Sequence, residues 1–475
     1  MTFRFAGFRD AHCHPLFAGR EALGPDVTHA TSITQVQQIL ADFAANNPQA
    51  NWIDCGSYDR NIAGPEGFLA SQIDEVISHI PVVIHASDHH TIWVNTQALK
   101  VAGLLDQVPK LEVGSVDIDD LGQASGVLRE WDAMNLVYVH QPALTTEQEL
   151  QALDWAQRQL LSLGVVGMQD AWLDPGMERV YLEAVEQNRL LIPTNLAPRL
   201  SPDSADKDYQ FALEVRRQVR QTNSPLLTCN TVKLFADGVF GSNTAAVKEA
   251  YCNHTAKPFG EPLWTSQALN QLAIKADANG FQLHIHAIGD AGVAMAIDAI
   301  AAAIDANPVW DRRPVIAHVE LIDDTDLARM AALGITAIMQ PLWARRDGLS
   351  LSCLPALGEE RFERLYRGRD LLERGVRVAM GSDWPVSSPD PLLGIYTAVS
   401  RRVDADAQPL GVDQAITAAQ AMQAYSTDAA WVLQQEHLLQ RDWVELSADP
   451  AGCATEDLRN IRVLAASVAG VEYLF

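Results

Sequence analysis

"FQLHIHAIGDAGVAMAIDAIAAAIDANP", Phe281 to Pro308, joins a β-rich run to an Ala-rich amphipathic helix that closes at Asn307-Pro308. Proline cannot continue a helix, so the unit reads as one strand followed by one helix. The same unit recurs along the chain. Its β-rich runs begin with "FRFAGFRDAHCH" (3–14), "GVVGMQDAW" (164–172), "LLIPTNLAP" (190–198) and "NTVKLFADG" (230–238). After residue 308 come "PVIAHVEL" (314–321), "ITAIMQPLW" (335–343) and "VRVAMGSDWPV" (376–386). Helical stretches such as "ALNQLAIKADANG" and "TDLARMAALG" lie between them and end at glycine. Eight strand–helix alternations predict an α/β chain with parallel strands and crossover helices, and eight units suit a closed (β/α)8 barrel of the TIM type.

Residues 20–150 break this rhythm. They carry runs of their own, "NWIDCGSYD" and "PVVIHASDHH", and Gly- and Asp-rich loops. They read as a large insertion after strand one, over the C-terminal mouth where barrel active sites form. The barrel is then expected from 1–19 and 151–415. The tail 416–475 is expected to hold a helix, "TAAQAMQAYSTDAAWVL", and one or two remnant strands in "IRVLAASVAGVEYLF".

Composition excludes several classes. Lys+Arg 35 against Asp+Glu 60 gives a formal charge of -25, which repels nucleic-acid phosphates and anionic lipid. Six cysteines are scattered without a C-x-x-C pair, as in a reduced compartment. The N-terminus lacks the apolar run of a signal peptide, and no segment approaches the ~18 apolar residues of a membrane span. The expectation is a cytoplasmic protein with a small-molecule substrate and neither nucleic acid nor membrane as partner. The hydrophobic ending "VEYLF" suggests a homodimer.

Candidate chemistry lies at the strand ends. His12 and His14 are two apart, so in a strand they share a face and can grip one ion. Lys233 stands in an apolar strand, where an ammonium is costly unless paired or chemically changed. His286 and His318 end the next two strands, and Asp383 ends the last. His284 falls one layer deeper than His286 and reads as a hydrogen-bonded core histidine. Each residue alone is more often structural than functional. Together they fall where a barrel makes side chains converge, and imidazole and carboxylate oxygen suit Zn2+ or a similar divalent ion.

The motifs "DAHCHP" (10–15), "DHHTIWVNTQAL" (88–99), "KLFADGVFGSNTAA" (233–246), "HAIGD" (286–290), "QPLW" (340–343) and "GSDWPV" (381–386) run through nearly the whole chain. In this order the sequence resembles the amidohydrolase superfamily of metal-dependent hydrolases, and within it the YtcJ-like branch that includes N-substituted formamide deformylases. The resemblance implies a site for one or two divalent metals. His12, His14 and Asp383 would hold the more buried ion, His286 and His318 the other, with an N6-carboxylated Lys233 bridging them. It further implies hydrolysis of an amide-type C–N bond in an N-acyl or N-formyl small molecule, with Asp383 passing the proton of the attacking water to the leaving amine. His90 is a candidate substrate contact by likeness to the D-x-H of that branch, although His89 and His90 read equally as a solvated loop. Trp93, Gln340 and Trp343 are candidate lining residues, or core and rim fillers. An esterase, carbamate hydrolase or cyclic-amide hydrolase would use the same site, and a non-catalytic metal-binding regulatory relative is the reading from another class. Members of the family usually carry a longer stretch before the H-x-H motif, so a truncated accessory β region is expected here.

Overall fold

The computed structural model describes residues 2–64, 67–86, 89–111, 114–253 and 256–475. They divide into two compact units, one of Met1–Pro15 with Gln157–Phe475 and one of Leu16–Ala156.

The first unit is α/β. Eight strands, β1 (Phe8–Cys13), β2 (Val165–Leu173), β3 (Thr194–Pro198), β4 (Thr231–Phe235), β5 (Gln282–Ala287), β6 (Val315–His318), β7 (Thr336–Met339) and β8 (Val378–Met380), lie in two parallel sheets. One sheet runs β1-β2-β3 and ends on the short strand Leu227–Thr228 that leads into β4; the other runs β4 to β8 in order. Backbone hydrogen bonds join the two sheets at both seams. The Leu200 amide donates to the Lys233 carbonyl at 2.8 Å. At the other seam Asp383 donates to His12 at 2.8 Å and His14 to Trp384 at 2.7 Å.

The strands are buried on both faces: apolar side chains such as Val232, Leu234, Leu283 and Ile285 pack under the covering helices, and alternating with them are buried polar ones, among them Lys233, Gln282 and His284. Helices Ser266–Ala278 and Asp290–Ala306 flank β5, and the second turns Val293, Ile297 and Ile300 into a core that also holds Ile285, Ile316 and Leu327. Asp324–Leu333 follows β6 and ends at Gly334 in the left-handed region, φ +65°, which a residue with a Cβ enters reluctantly.

The first β-rich run is two elements. Phe3–Phe5 pairs antiparallel with Trp443–Leu446, which pairs with Val463–Val468 and then Val471–Leu474, forming a four-stranded sheet from both ends of the chain. Gly7 (φ +77°) breaks the run before β1, and a Cβ there would lie 2.4 Å from Val166 Cγ2. The tail helix is likewise interrupted, with a π-helical turn at Ala424–Asp428 between two α-helical pieces.

The second unit is built on a five-stranded mixed sheet in the order Ile53–Tyr58, Val82–Ala86, Thr91–Val94, Ala124–Arg129, Ser115–Ile118. Strand alternation sends Val82, Ile84 and Ala86 into one core and Val83 into another on the opposite face. No helix among the described residues is long and apolar enough to cross a membrane.

Candidate metal centre

Asp10, His12 and His14 alternate along β1 and its continuation. Asp10 and His12 are almost completely buried, and His14 nearly so. His12 Nε2 and His14 Nε2 lie 3.2 Å and 2.8 Å from the same oxygen, Asp383 Oδ1. His318 joins from β6, and one ligand atom each from His12, His318 and Asp383 lies within 4.8 Å of the others. Two imidazoles and a carboxylate at this separation, all buried, fit a divalent ion by donor type and by reach. Lys233 Nζ is 3.5 Å from His12 Nε2 and 4.6 Å from the centre of the Phe235 ring.

His286 stands at the edge of the group. Its ring is 4.5 Å from that of His318, while its Nε2 lies 3.2 Å from the Gly238 carbonyl. Gln340 fixes His318 through an Oε1–Nδ1 contact of 2.8 Å, and Trp343 stacks on the His318 ring at 5.2 Å and 5°. Both of these follow β7, and both are buried.

His90 and Trp93 belong to the second unit. His90 Nδ1 is 2.9 Å from Glu130 Oε2. Trp93 is fully buried, packs against Tyr58 and Phe68, and donates from Nε1 to the Leu69 carbonyl, so its indole fills that unit's core. Arg129, next to Glu130, pairs with Asp117 at 2.6 Å. Asp88 of the "DHH" motif lies outside the described residues.

Burial sets the charge states. It pushes the His12 imidazole well below its usual value, helped by Lys233, and pushes His318 down to about 4. His286 is driven down by burial and by the neighbouring His318. Neutral imidazoles are the ligating form. Burial lowers the Lys233 amine to about 7, against the pull of Asp383. The same burial would raise the Asp383 carboxyl, but His12 and His14 outweigh it and hold the group well below the usual carboxylate range.

The backbone is strained at His318, at the adjoining Val319 and at Asp383. His318 (φ +78°), Val319 (φ +48°) and Asp383 (φ +55°) occupy the left-handed region without being glycine. Such outliers persist only where surroundings over-determine them, and they cluster at functional sites.

Several residues that position the site lie inside quoted motifs without standing out in them. Asp10 accepts the backbone amides of His12 (3.2 Å) and Ser382 (3.0 Å). Asp237 accepts those of Ala246 (2.8 Å), Ile288 (3.0 Å) and Gly289 (2.9 Å), tying the loop after β4 to the loop after β5. An aromatic wall of Trp172 and Phe235, 4.9 Å apart, runs between His14 and His286. The signal for these two was position alone, since each falls at the C-terminal end of a barrel-type strand.

Fold, the buried histidine–aspartate cluster and motif order point to one class. The chain belongs to the amidohydrolase family, whose model matches residues 4–441. It is 25% identical over 467 residues to the putative amidohydrolase YtcJ of Bacillus subtilis, spanning 94% of this chain and 84% of that protein. It is 24% identical over 492 residues to the N-substituted formamide deformylase of Arthrobacter pascens, spanning 98% and 87%. Among solved structures, an uncharacterized metal-dependent hydrolase from Pyrococcus horikoshii superposes with a TM-score of 0.76 at 23% identity, covering 96% of this chain and 88% of the other.

Proposed function

We propose that this protein is a metal-dependent amidohydrolase that cleaves an amide-type C–N bond in a small N-acyl or N-formyl compound. The observation that carries this reading is the convergence of His12, His318 and Asp383 within 4.8 Å at the C-terminal ends of three parallel strands. The two sheets, hydrogen-bonded at both seams, are read as one (β/α)8 barrel.

His12, His14 and Asp383 would hold one ion and His286 and His318 a second, with Zn2+ preferred by ligand type. Lys233, buried and with its amine pushed down to about 7, is available in the neutral form that adds CO2, and as an N6-carboxylate it would bridge the two ions. An ion in this place supplies an acidified water and polarises the carbonyl under attack.

The chain's own groups do the rest. Asp383 stays ionised between His12 and His14, so it can take the proton of the attacking water and deliver it to the leaving nitrogen. An amine leaves poorly as its anion, so that delivery separates amide from ester hydrolysis in what it demands of the enzyme. Trp172, Phe235 and Trp343 flank the histidines and exclude water from the carbonyl's surroundings. Gln340 and Trp343 hold His318 and would contact substrate from the β7 side; His90 is kept as a candidate substrate contact by the motif resemblance alone.

The test is metal analysis of purified protein followed by a screen of N-formyl amines, N-acyl amines, dipeptides and simple esters. One to two equivalents of divalent ion, with turnover of N-formyl or N-acyl amines above esters, is expected. A folded preparation that takes up no metal would overturn the proposal.

A further inference from the structure

His12 and His318 are each braced at the ring nitrogen that faces away from Asp383, and the two braces have opposite polarity. At His318 the brace is the Gln340 oxygen, 2.8 Å from Nδ1. An oxygen there requires Nδ1 to carry the proton and leaves Nε2 as a bare lone pair. At His12 the brace is a second imidazole, with His284 Nε2 2.8 Å from His12 Nδ1. Behind it, Gln169 Nε2 lies 2.6 Å from His284 Nδ1.

Which end Gln169 presents is decided further out. The Asn230 backbone amide donates to Asn195 Oδ1 at 3.1 Å, and the Thr228 hydroxyl donates to the same oxygen at 2.9 Å. Asn195 must therefore turn its NH2 inward, where it donates to Gln169 Oε1 at 2.9 Å and Thr231 Oγ1 at 2.7 Å. Thr231 passes its own proton to Gln282 Oε1 at 2.6 Å. The Gln282 NH2 is pinned by the carbonyls of Arg313 (2.8 Å) and Val432 (3.1 Å). A backbone amide at one end and two backbone carbonyls at the other cannot exchange roles. With its oxygen taken, Gln169 donates to His284 Nδ1, and His284 in turn donates from Nε2 to His12 Nδ1. Every member of this chain from Asn195 to His12 is at most 2% exposed, so solvent does not relax it.

A histidine that binds a metal through Nε2 ordinarily donates from Nδ1 to an acceptor, which raises its basicity and fixes its tautomer. His318 has such an acceptor; His12 faces a donor. We infer that Gln169 is a positioning residue that sets the direction of the His12–His284 hydrogen bond and thereby weakens the hold of His12 on a divalent cation. The inference rests on the metal centre proposed above.

Two substitutions reverse the polarity by different routes. Gln169→Glu keeps an acceptor for Asn195 and offers His284 a second oxygen, so His284 carries its proton on Nδ1 and accepts from His12. Asn195→Asp acts one link further out: Gln169 turns to donate to the new carboxylate and presents its own oxygen to His284. Both variants are expected to bind Zn2+ about 10- to 100-fold more tightly than the parent in chelator competition. Both are also expected to gain more in melting temperature on Zn2+ addition. Gln169→Met removes the donor without supplying an acceptor and is expected between parent and Gln169→Glu.

Zn2+ affinity equal to or weaker than the parent's in a carboxylate variant whose metal-free form still melts cooperatively would overturn the inference. Should both carboxylates prevent folding, a Gln169→Met protein that binds no tighter than the parent overturns it equally. A parent protein that binds no Zn2+ at all instead removes the metal centre itself, which keeps the two failures apart.

Discussion

Ser382 donates both its backbone amide, at 3.0 Å, and its hydroxyl to the carboxylate of Asp10. One oxygen of the same carboxylate takes the His12 amide. A single side chain on β1 thus grips the peptide before His12 and the peptide before Ser382, the residue that adjoins Asp383. Removing it by Asp10→Ala leaves two buried amides without an acceptor, at a cost of about 3 kcal/mol. Metal content and melting temperature should fall together. Asp10→Asn should recover most of both, because its amide oxygen still accepts the two amides while the Ser382 hydroxyl turns to accept from the new NH2.

Lys233→Met keeps the shape of the side chain and removes the amine. The metal-free protein should lose no stability, since a buried amine is replaced by an apolar group. Metal analysis should show the loss of about one equivalent, and turnover should fall at least ~100-fold, the lower end of the range for losing one positioned proton-transfer group. Unchanged turnover would refute the bridging role.

Asp383→Asn should lower turnover by about 10²–10⁴-fold. It also carries a pH signature in the metal-free protein. The folded carboxyl lies well below its unfolded value because His12 and His14 outweigh burial. A depressed group stabilises the fold above its unfolded pKa of about 4 and loses that contribution as pH falls through the folded value. The melting-temperature gap between parent and Asp383→Asn should be full at pH 6 and close in acid.

Gly381→Ala is expected to separate the seam that carries His12 and Asp383. A Cβ at this position would sit 2.6 Å from the His12 backbone nitrogen and 2.9 Å from its oxygen, and backbone atoms cannot turn aside as a flexible side chain can. Reduced Zn2+ uptake by a destabilised but cooperatively melting protein is the expected result, read by chelator competition and calorimetry.

The second unit titrates in the opposite sense. Burial would lower the His85 imidazole, but Asp54, 2.8 Å away, and Glu21 raise it to about 9. A raised histidine stabilises fully below its unfolded pKa of about 6.5 and loses that contribution as pH rises through about 9. His85→Asn should cost stability at pH 6 and progressively less toward pH 10, measured as denaturant midpoints.

Sequence reading brought three candidate residues together because barrel chemistry has a positional rule. His12, His318 and Asp383 each close an apolar run, and the structure gathers them. It reached much less of what braces them. Asp10 and Asp237 sit inside conspicuous motifs, but their work is to accept amides from residues far along the chain, and no local period marks that. The Gln169–His284–His12 chain joins three strands and has no sequence signature. Phe3–Phe5 looked continuous with β1 because both are β-rich and apolar; only Gly7 and a partner strand at Trp443–Leu446 separate them. Trp93 read either as a lining residue or as a core filler, and its packing against Tyr58 and Phe68 in the second unit gives it the core role.

His14 and Asp383 meet at 2.8 Å across 369 positions of chain. Ribosomal synthesis exposes the first of them hundreds of residues before the second, so no nascent fragment that ends before Asp383 can present the whole proposed ion-binding set. Uptake of a chromophoric divalent ion during synthesis would therefore wait until Asp383 has been added and has met His14.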